Sequence, residues 1–195
     1  MKILIAGDSF ATEWSAKYNG YFGWPELLND NFEVINVAQA GISEYKILKQ
    51  IELHYNESYD FVIVSHTSPT RVHTRTHPVM FNDLLHRNAD LLINDTMSKL
   101  PWFNNSLRAA QGYFKYHYDE QYYNDVYWLL REKIDSILIS ARVISICNFN
   151  EVYNNETFNF SKYRTSNPGL ANHFDDAANI LIHRYLERYI REYED

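Results

Sequence analysis

Four short apolar runs, separated by longer segments of helical character, constrain the fold of this chain more than any other feature. The runs occupy residues 2–6, 32–37, 61–64 and 142–147. All but the second are continuously apolar, which is typical of strands that are covered on both faces. Helical patterns lie between and after them, at residues 43–51, 105–138 and 174–193. The alternation predicts an α/β fold with a parallel sheet.

The organisation of the chain predicts a single domain over residues 1–195. That length suits one hydrophobic core, and no repeat, low-complexity tract or Pro/Gly-rich linker divides it. The interval between the third and fourth strands, about residues 66–141, is much longer than one crossover requires. We therefore expect a helical insertion there that covers one end of the sheet, and we expect its residues of about 66–130 to shape the substrate pocket.

Charge and apolar patterning bear on partners and location. The formal net charge is -7, whereas binding to phosphates requires clustered Lys and Arg, so we expect no nucleic-acid partner. The apolar run at residues 3–6 is too short for a signal peptide, and nowhere do 18 apolar residues run together. We therefore expect a cytoplasmic protein without a membrane segment. The single cysteine, Cys147, excludes an intrachain disulfide and is predicted to be buried and inert.

A serine follows the first predicted strand, in the order Gly7-Asp8-Ser9. Ligands of open α/β sheets bind beyond the carboxyl ends of the strands, so Ser9 is expected at that edge. Gly7 permits a tight turn, and the following backbone N–H groups could point at an anion forming at Ser9. Asp8 beside it is a candidate substrate-binding or oxyanion residue. The alternative is that Asp8 or Ser9 only caps a helix.

Three segments together resemble the conserved blocks of the SGNH/GDSL hydrolase family. Gly7-Asp8-Ser9 resembles the first block, and residues 36–43, with Gly41, resemble the second. His173, just before the last helical pattern, resembles the histidine of the last block. The order and spacing match over nearly the whole chain. The resemblance implies a flavodoxin-like three-layer α/β/α sandwich with Ser9 as nucleophile, His173 as general base, and oxyanion donors at the backbone N–H groups of Ser9 and Gly41.

Two departures from the family pattern concern the same site. The third block usually carries an Asn, but residues 65–71 contain none, so the hydroxyl of Thr67 or Ser68 is a candidate replacement donor. The family usually has an Asp three residues before the catalytic histidine, and Leu170 stands there. His173 would then work in a dyad or be oriented by a backbone carbonyl.

Other candidate residues follow the third strand. Arg71 or Arg75 could meet an anionic group of the substrate at the mouth of the site, or form ordinary structural pairs. His73 and His77 are four residues apart, as metal ligands on a helix can be, but prolines bracket the segment and no Cys or well-placed carboxylate accompanies them. We therefore predict no metal site and no cofactor.

Aromatic residues are dense between positions 113 and 128. Their spacing fits helix packing and a stacking platform for sugar rings equally well, and packing is the commoner use.

The functional prediction is a serine esterase that hydrolyses a small ester, such as an acetylated carbohydrate, by acyl transfer through Ser9. The alternative is a catalytically degenerate domain of the same fold that binds a ligand or a protein in the former active site, which the two departures favour. A nucleotide-binding domain is disfavoured because no Gly-rich phosphate loop follows any strand.

Overall fold

A central parallel sheet organises the protein. The computed structural model describes residues 1–15, 22–75, 86, 88–100, 104–149, 157–165 and 173–193. The strands are β1 (Lys2–Gly7), β2 (Glu33–Asn36), β3 (Phe61–His66), β4 (Arg71–Val72), β5 (Leu91–Leu92), β6 (Val143–Cys147) and β7 (Phe158–Asn159). Five of them form one sheet in the order β2-β1-β3-β6-β7, with every neighbouring pair parallel, while β4 and β5 form a separate antiparallel pair.

Helices cover both faces of this sheet, which makes the fold a three-layer α/β/α sandwich. They are α1 (Trp24–Leu28), α2 (Glu44–His54), α3 (Ile93–Met97), α4 (Asn105–Tyr116), α5 (Glu120–Ile137) and α6 (Asp176–Arg191). The first and last, α1 and α6, pack together on one face, and α2 packs with α5 on the other. Among the described residues, no helix is both long and apolar enough to cross a bilayer.

The two faces of β1 explain why its sequence is continuously apolar. Ile3 and Ile5 belong to the core cluster beneath α6, and Leu4 and Ala6 belong to the cluster beneath α2 and α5. All four side chains are fully buried. Burying an Ile or Leu side chain contributes roughly 1.5–3 kcal/mol, so a strand covered on both faces gains from every residue.

Side-chain caps set where the longer helices begin. The Asp175 carboxylate accepts a hydrogen bond from the Ala178 N–H at the start of α6, and Asp119 does the same for Tyr122 at the start of α5. Such caps contribute about 1 kcal/mol each. The cap at Asp175 begins α6 just after His173.

The α/β fold with a parallel sheet is confirmed, and the four predicted strands agree with β1, β2, β3 and β6 to within two residues at each end. The fifth strand, β7, is missing from the prediction because it has only two residues and therefore no detectable period. It extends the sheet by parallel pairing with β6.

The predicted helical insertion at residues 66–141 is too wide at its carboxyl end. Helix α5 belongs to the helix layer itself, because Ile134 and Leu138 pack in the core cluster of α2. The additional part of this interval comprises β4, β5, α3 and α4, with a small core around Val72, Leu91 and Phe114.

Candidate active site

The carboxyl ends of four neighbouring strands meet at one edge of the sheet. Asp8 and Ser9 follow β1, Thr67 follows β3, and Asn148 follows β6. The segment after β2 joins them, since the Gln39 N–H donates to the Gly7 carbonyl at 3.0 Å. This is the edge at which open α/β sheets bind ligands.

Ser9 and His173 meet at this edge, although 164 residues separate them. The Ser9 Oγ lies 3.4 Å from the His173 Nε2. That distance is at the long end of a hydrogen bond, and catalytic hydrogen bonds are often long before a substrate binds. Ser9 is 6% exposed, whereas the His173 side chain is exposed. His173 has a φ of 65°, in the left-handed region that non-glycine residues seldom adopt.

The turn that carries Ser9 is anchored from several directions. The Gly7 N–H donates to the Gln50 Oε1 at 2.9 Å, and the Trp14 indole N–H donates to the Ser9 carbonyl at 3.1 Å. Position 7 has no room for a side chain, because a Cβ there would lie 2.6 Å from the Ser65 Cβ. Glycine is therefore required at position 7, where β1 runs close beside β3, two residues before the serine.

An aromatic side chain packs against His173. The Phe10 ring lies 4.8 Å from the imidazole, between ring centroids, and also contacts Phe174 at 5.2 Å. The Thr165 N–H donates to the His173 carbonyl at 2.8 Å. Packing and a backbone hydrogen bond thus hold this residue. Leu170, which stands where the family has an acid, lies outside the described residues.

Gly41 occupies the loop after β2 with a φ of +75°, a conformation that favours glycine. Its carbonyl accepts hydrogen bonds from the Arg71 Nη1 at 2.9 Å and from the Asp90 N–H at 2.7 Å. Arg71 thus makes a structural contact with the Gly41 backbone, and its contact with an anionic substrate group stays a prediction. Arg75, the other candidate, is exposed.

Asp8 is fully buried beside the nucleophile. Its Oδ1 accepts from the Phe10 N–H at 3.1 Å. Burial raises the pKa of this carboxyl to about 7, although Arg71 and the hydrogen-bonding groups of Phe10 and Thr67 oppose the rise, and Glu44 adds to it. Neither the Asp8 Oδ2 nor the Thr67 Oγ1 has a well-formed hydrogen bond within the described residues. Three predicted site residues, Asp8, Thr67 and Arg71, are therefore neighbours.

Ser68 is used differently. Its hydroxyl lies 2.9 Å from the Thr70 hydroxyl, and its carbonyl accepts from the Arg71 N–H at 3.1 Å. These contacts build the turn that leads into β4.

A buried contact between a histidine and a carboxyl group, beside the site, escaped the sequence analysis. The His66 Nδ1 lies 2.6 Å from the Glu44 Oε1, with the two side chains only 2% and 3% exposed. The other carboxylate oxygen of Glu44 accepts from the Thr67 N–H at 3.3 Å. A histidine at the end of an otherwise apolar strand was the available signal, but nothing in the sequence pairs it with the first residue of α2.

Asn148 is a second residue that the sequence analysis missed. It is 1% exposed, and its Nδ2 donates to the Ser65 Oγ at 2.9 Å. Its Oδ1 is buried without a hydrogen-bond partner among the described residues. The available signal was its position: Asn148 directly follows the fourth apolar run, and residues at that place lie at the carboxyl edge of a parallel sheet, where ligands bind.

One of the two histidines considered as metal ligands, His73, belongs to the described part of the chain. In that part, no group of three His, Cys, Asp or Glu side chains is placed to hold a metal ion. The His73 ring lies 4.6 Å from the Tyr45 ring, between centroids, at a tilt of 50°, and the His73 Nδ1 lies 3.4 Å from the Asp90 carboxylate. His77 lies outside the described residues.

The Tyr-rich segment combines packing and exposure. Tyr118 stacks on Tyr123 at 5.1 Å and the Tyr113 hydroxyl contacts that of Tyr123, all against the small core of β4, β5 and α4. Tyr116 and Tyr122 are exposed.

Comparison with known proteins supports the fold. No protein-family model matches the chain, and no curated protein matches its sequence. Among solved structures, the chain is similar to a candidate lipolytic protein of the G-D-S-L family from Desulfitobacterium hafniense DCB-2, with a TM-score of 0.50 and 14% sequence identity. The similarity covers 96% of this chain and 98% of that one. At this identity it establishes a shared three-layer fold.

Proposed function

We propose that this protein is a serine hydrolase that cleaves a small ester by acyl transfer, with Ser9 as nucleophile and His173 as general base. One observation carries the proposal: the Ser9 Oγ lies 3.4 Å from the His173 Nε2 at the carboxyl edge of the sheet. A hydroxyl is a weak nucleophile unless a base removes its proton during attack, and neutral imidazole suits that role near pH 7.

The reaction follows from this geometry. The His173 Nε2 takes the proton of Ser9 as the Oγ forms a bond to the acyl carbon. Backbone N–H groups of Ser9 and Gly41 donate to the resulting oxyanion. The imidazolium then gives its proton to the departing alkoxide, and the ester bond breaks to leave an acyl-serine. Water, deprotonated by the same imidazole, hydrolyses the acyl-serine and regenerates Ser9.

His173 works in this scheme with orientation from the Phe10 ring and the Thr165 N–H. Loss of the carboxylate from a Ser-His-Asp triad lowers kcat about ten-thousand-fold. We therefore expect slow turnover of activated esters, such as p-nitrophenyl acetate. The proposed natural substrate class is a small ester such as an acetylated carbohydrate, which a series of p-nitrophenyl esters of increasing chain length and acetylated sugars would test.

The decisive experiment is labelling by a fluorophosphonate probe together with hydrolysis of p-nitrophenyl acetate. We expect labelling of the wild type, none of Ser9→Ala, and labelling of His173→Ala slowed more than about a hundredfold, since the two residues act as one unit. Ser58→Ala and His54→Ala are matched controls, because both side chains are exposed and lie between the end of α2 and the start of β3, at the edge of the sheet opposite the site. They should behave as the wild type.

Labelling that persists in Ser9→Ala would refute the assignment of the nucleophile. If the wild type and both site variants hydrolyse the ester equally and no probe labels Ser9, the protein is better described as a non-catalytic domain. Its ligand should then be sought between Ser9, Gly41 and His173.

A further inference from the structure

Asp90 is a buried carboxylate that joins three separate segments of the chain. It precedes β5, and its side chain is fully buried. The Oδ2 accepts from the Ser43 N–H, and the Oδ1 accepts from the Thr74 N–H and the Lys46 Nζ, each at 2.7 Å. In addition, the Asp90 N–H donates to the Gly41 carbonyl at 2.7 Å. One residue therefore binds the loop after β2 at two backbone atoms.

The charge of Asp90 is compensated where it is buried. The Lys46 ammonium also donates to the carbonyls of Asn88 at 2.5 Å and Thr74 at 3.3 Å, so it stays beside the carboxylate. The His73 Nδ1 lies 3.4 Å from the same carboxylate oxygen. Hydrogen bonds to an ionised carboxylate are shorter and about twice as strong as those between neutral groups. The loop is therefore held by strong, directed contacts.

Gly41 has little freedom in this arrangement. Its carbonyl accepts hydrogen bonds from both the Asp90 N–H and the Arg71 Nη1. The peptide that follows, between Ile42 and Ser43, is held because the Ser43 N–H donates to the Asp90 carboxylate. On the other side, a Cβ at Gly41 would lie only 3.0 Å from the Ala89 Cβ. Together these contacts restrict the conformation of the loop around Gly41.

We propose that Asp90 is a positioning residue for transition-state stabilisation: it holds the 41–43 loop so that the Gly41 N–H points at the oxyanion formed on Ser9. This inference rests on the proposed function. It means that the segment after β3 affects catalysis, because Arg71, Ala89 and Asp90 of that segment contact the loop at Gly41. An oxyanion donor acts in the transition state and contributes little to binding of the neutral ester, so its displacement lowers kcat and leaves KM nearly unchanged.

The test compares Asp90→Asn with the wild type in ester hydrolysis. The amide places an N–H group toward the N–H of Ser43 or that of Thr74, so one of these hydrogen bonds is lost. We expect kcat for p-nitrophenyl acetate to fall about a hundredfold with KM within about twofold, the size seen for loss of one oxyanion donor. Asp60→Asn is the matched control: its carboxylate accepts the Lys2 N–H at 2.7 Å, but at the opposite edge of the sheet. It should keep the wild-type kcat.

A boronic acid separates positioning from general loosening of the fold. Butaneboronic acid forms a tetrahedral anion on an active-site serine and so resembles the transition state. Its affinity should fall in Asp90→Asn by about the same factor as kcat, whereas the acid limb of the pH profile, which depends on the base His173, should keep its midpoint. Structural loosening would instead change KM and the pH profile as well.

Wild-type kcat and boronate affinity in Asp90→Asn would overturn the inference, as would a fall in kcat accompanied by an equal rise in KM. If Asp90→Asn does not fold, Lys46→Gln decides, because it removes the ammonium that holds the Asp90 carboxylate in place against the Ser43 N–H. We expect about a tenfold lower kcat there, and an unchanged kcat would refute the proposal. Absence of turnover and of Ser9 labelling in the wild type itself would instead refute the proposed function.

Discussion

The two sides of Ser9 are held in place by different forces. On the His173 side, aromatic rings pack in the largest core cluster, where Phe10 contacts both Phe149 and Phe174. On the Gly41 side, ionisable groups are buried in pairs and connected to the backbone of the loops. The residues of this polar side are Asp8, Glu44, Lys46, His66, Arg71 and Asp90.

The difference determines how each side responds to change. Ring packing depends on shape, so the aromatic side should tolerate changes of pH and fail when volume is removed. The polar side depends on charge balance at low dielectric, so it should respond to pH and to the loss of a single partner. Even the cation on the aromatic side, Arg164, lies over rings, at 5.4 Å from Phe10 and 5.0 Å from Phe149.

The largest effect that we expect concerns Asp8, on the polar side. Burial raises the pKa of its carboxyl from 3.8 to about 7, so the folded protein retains a proton that the unfolded chain has lost. This group therefore lowers the free energy of unfolding progressively as pH rises from about 4 to about 7, and the loss is constant above that. Asp8→Asn removes this pH dependence. The free energy of unfolding of Asp8→Asn, relative to that of the wild type, should therefore rise by on the order of 4 kcal/mol between pH 4 and pH 8.

Urea unfolding at pH 4, 6 and 8 measures this difference. The control is Asp135→Asn, an exposed position on α5, for which we expect no such trend. A constant difference between Asp8→Asn and the wild type across this range would show that the carboxyl titrates as an ordinary aspartate.

Glu44→Ala should have the next largest effect. It breaks the buried pair with His66 and leaves the Thr67 N–H without its acceptor. Removing one partner of a buried pair costs about 3 kcal/mol. Glu52→Ala lies on the same helix and breaks only the exposed pair with Lys49, so it should change the unfolding midpoint little. Equal effects of the two variants, measured by thermal unfolding, would contradict the charge-based account of the polar side.

Phe10→Leu probes the aromatic side. We expect about 1.5 kcal/mol of lost stability from the smaller side chain, and about a tenfold slower labelling of Ser9 because the imidazole loses its contact with the ring. Phe61→Leu removes a ring from the same core cluster near the amino ends of the strands. It should lose similar stability and keep the wild-type labelling rate, and a slowed rate there would show that labelling reports only stability.

Two glycines should show small effects of opposite sign. Gly41→Ala places a side chain at a φ of +75° and should cost about 1–2 kcal/mol. Gly112→Ala, in the middle of α4 with nothing within 4 Å of the added Cβ, should instead stabilise the protein by roughly 0.5–1 kcal/mol. Denaturant titration of both variants measures these opposite signs. A stabilised Gly41→Ala would mean that the loop after β2 is free to change its conformation.

Local pattern accounts for what could be predicted from the sequence. Continuous apolar runs indicated β1, β3 and β6, since only a strand covered on both faces buries every residue, and the helical period indicated α2, α4, α5 and α6. The resemblance of three segments to the SGNH/GDSL blocks implied that Ser9, Gly41 and His173 would gather at one edge. The 3.4 Å approach of Ser9 to His173 agrees with this prediction of proximity, while their catalytic roles stay predictions.

Only the tertiary structure decided the environment of these residues. Glu44 and His66, or Asp90 and Gly41, are distant in sequence and follow no shared period, so their pairing depends on which strand ends and loops the fold brings together. The raised pKa of Asp8 likewise depends on complete burial, which the presence of an aspartate in the sequence does not reveal. Periodicity is a local property that the chain carries by itself, whereas charge state and hydrogen bonding at the site depend on distance and solvent exclusion, which exist only once the layers have packed.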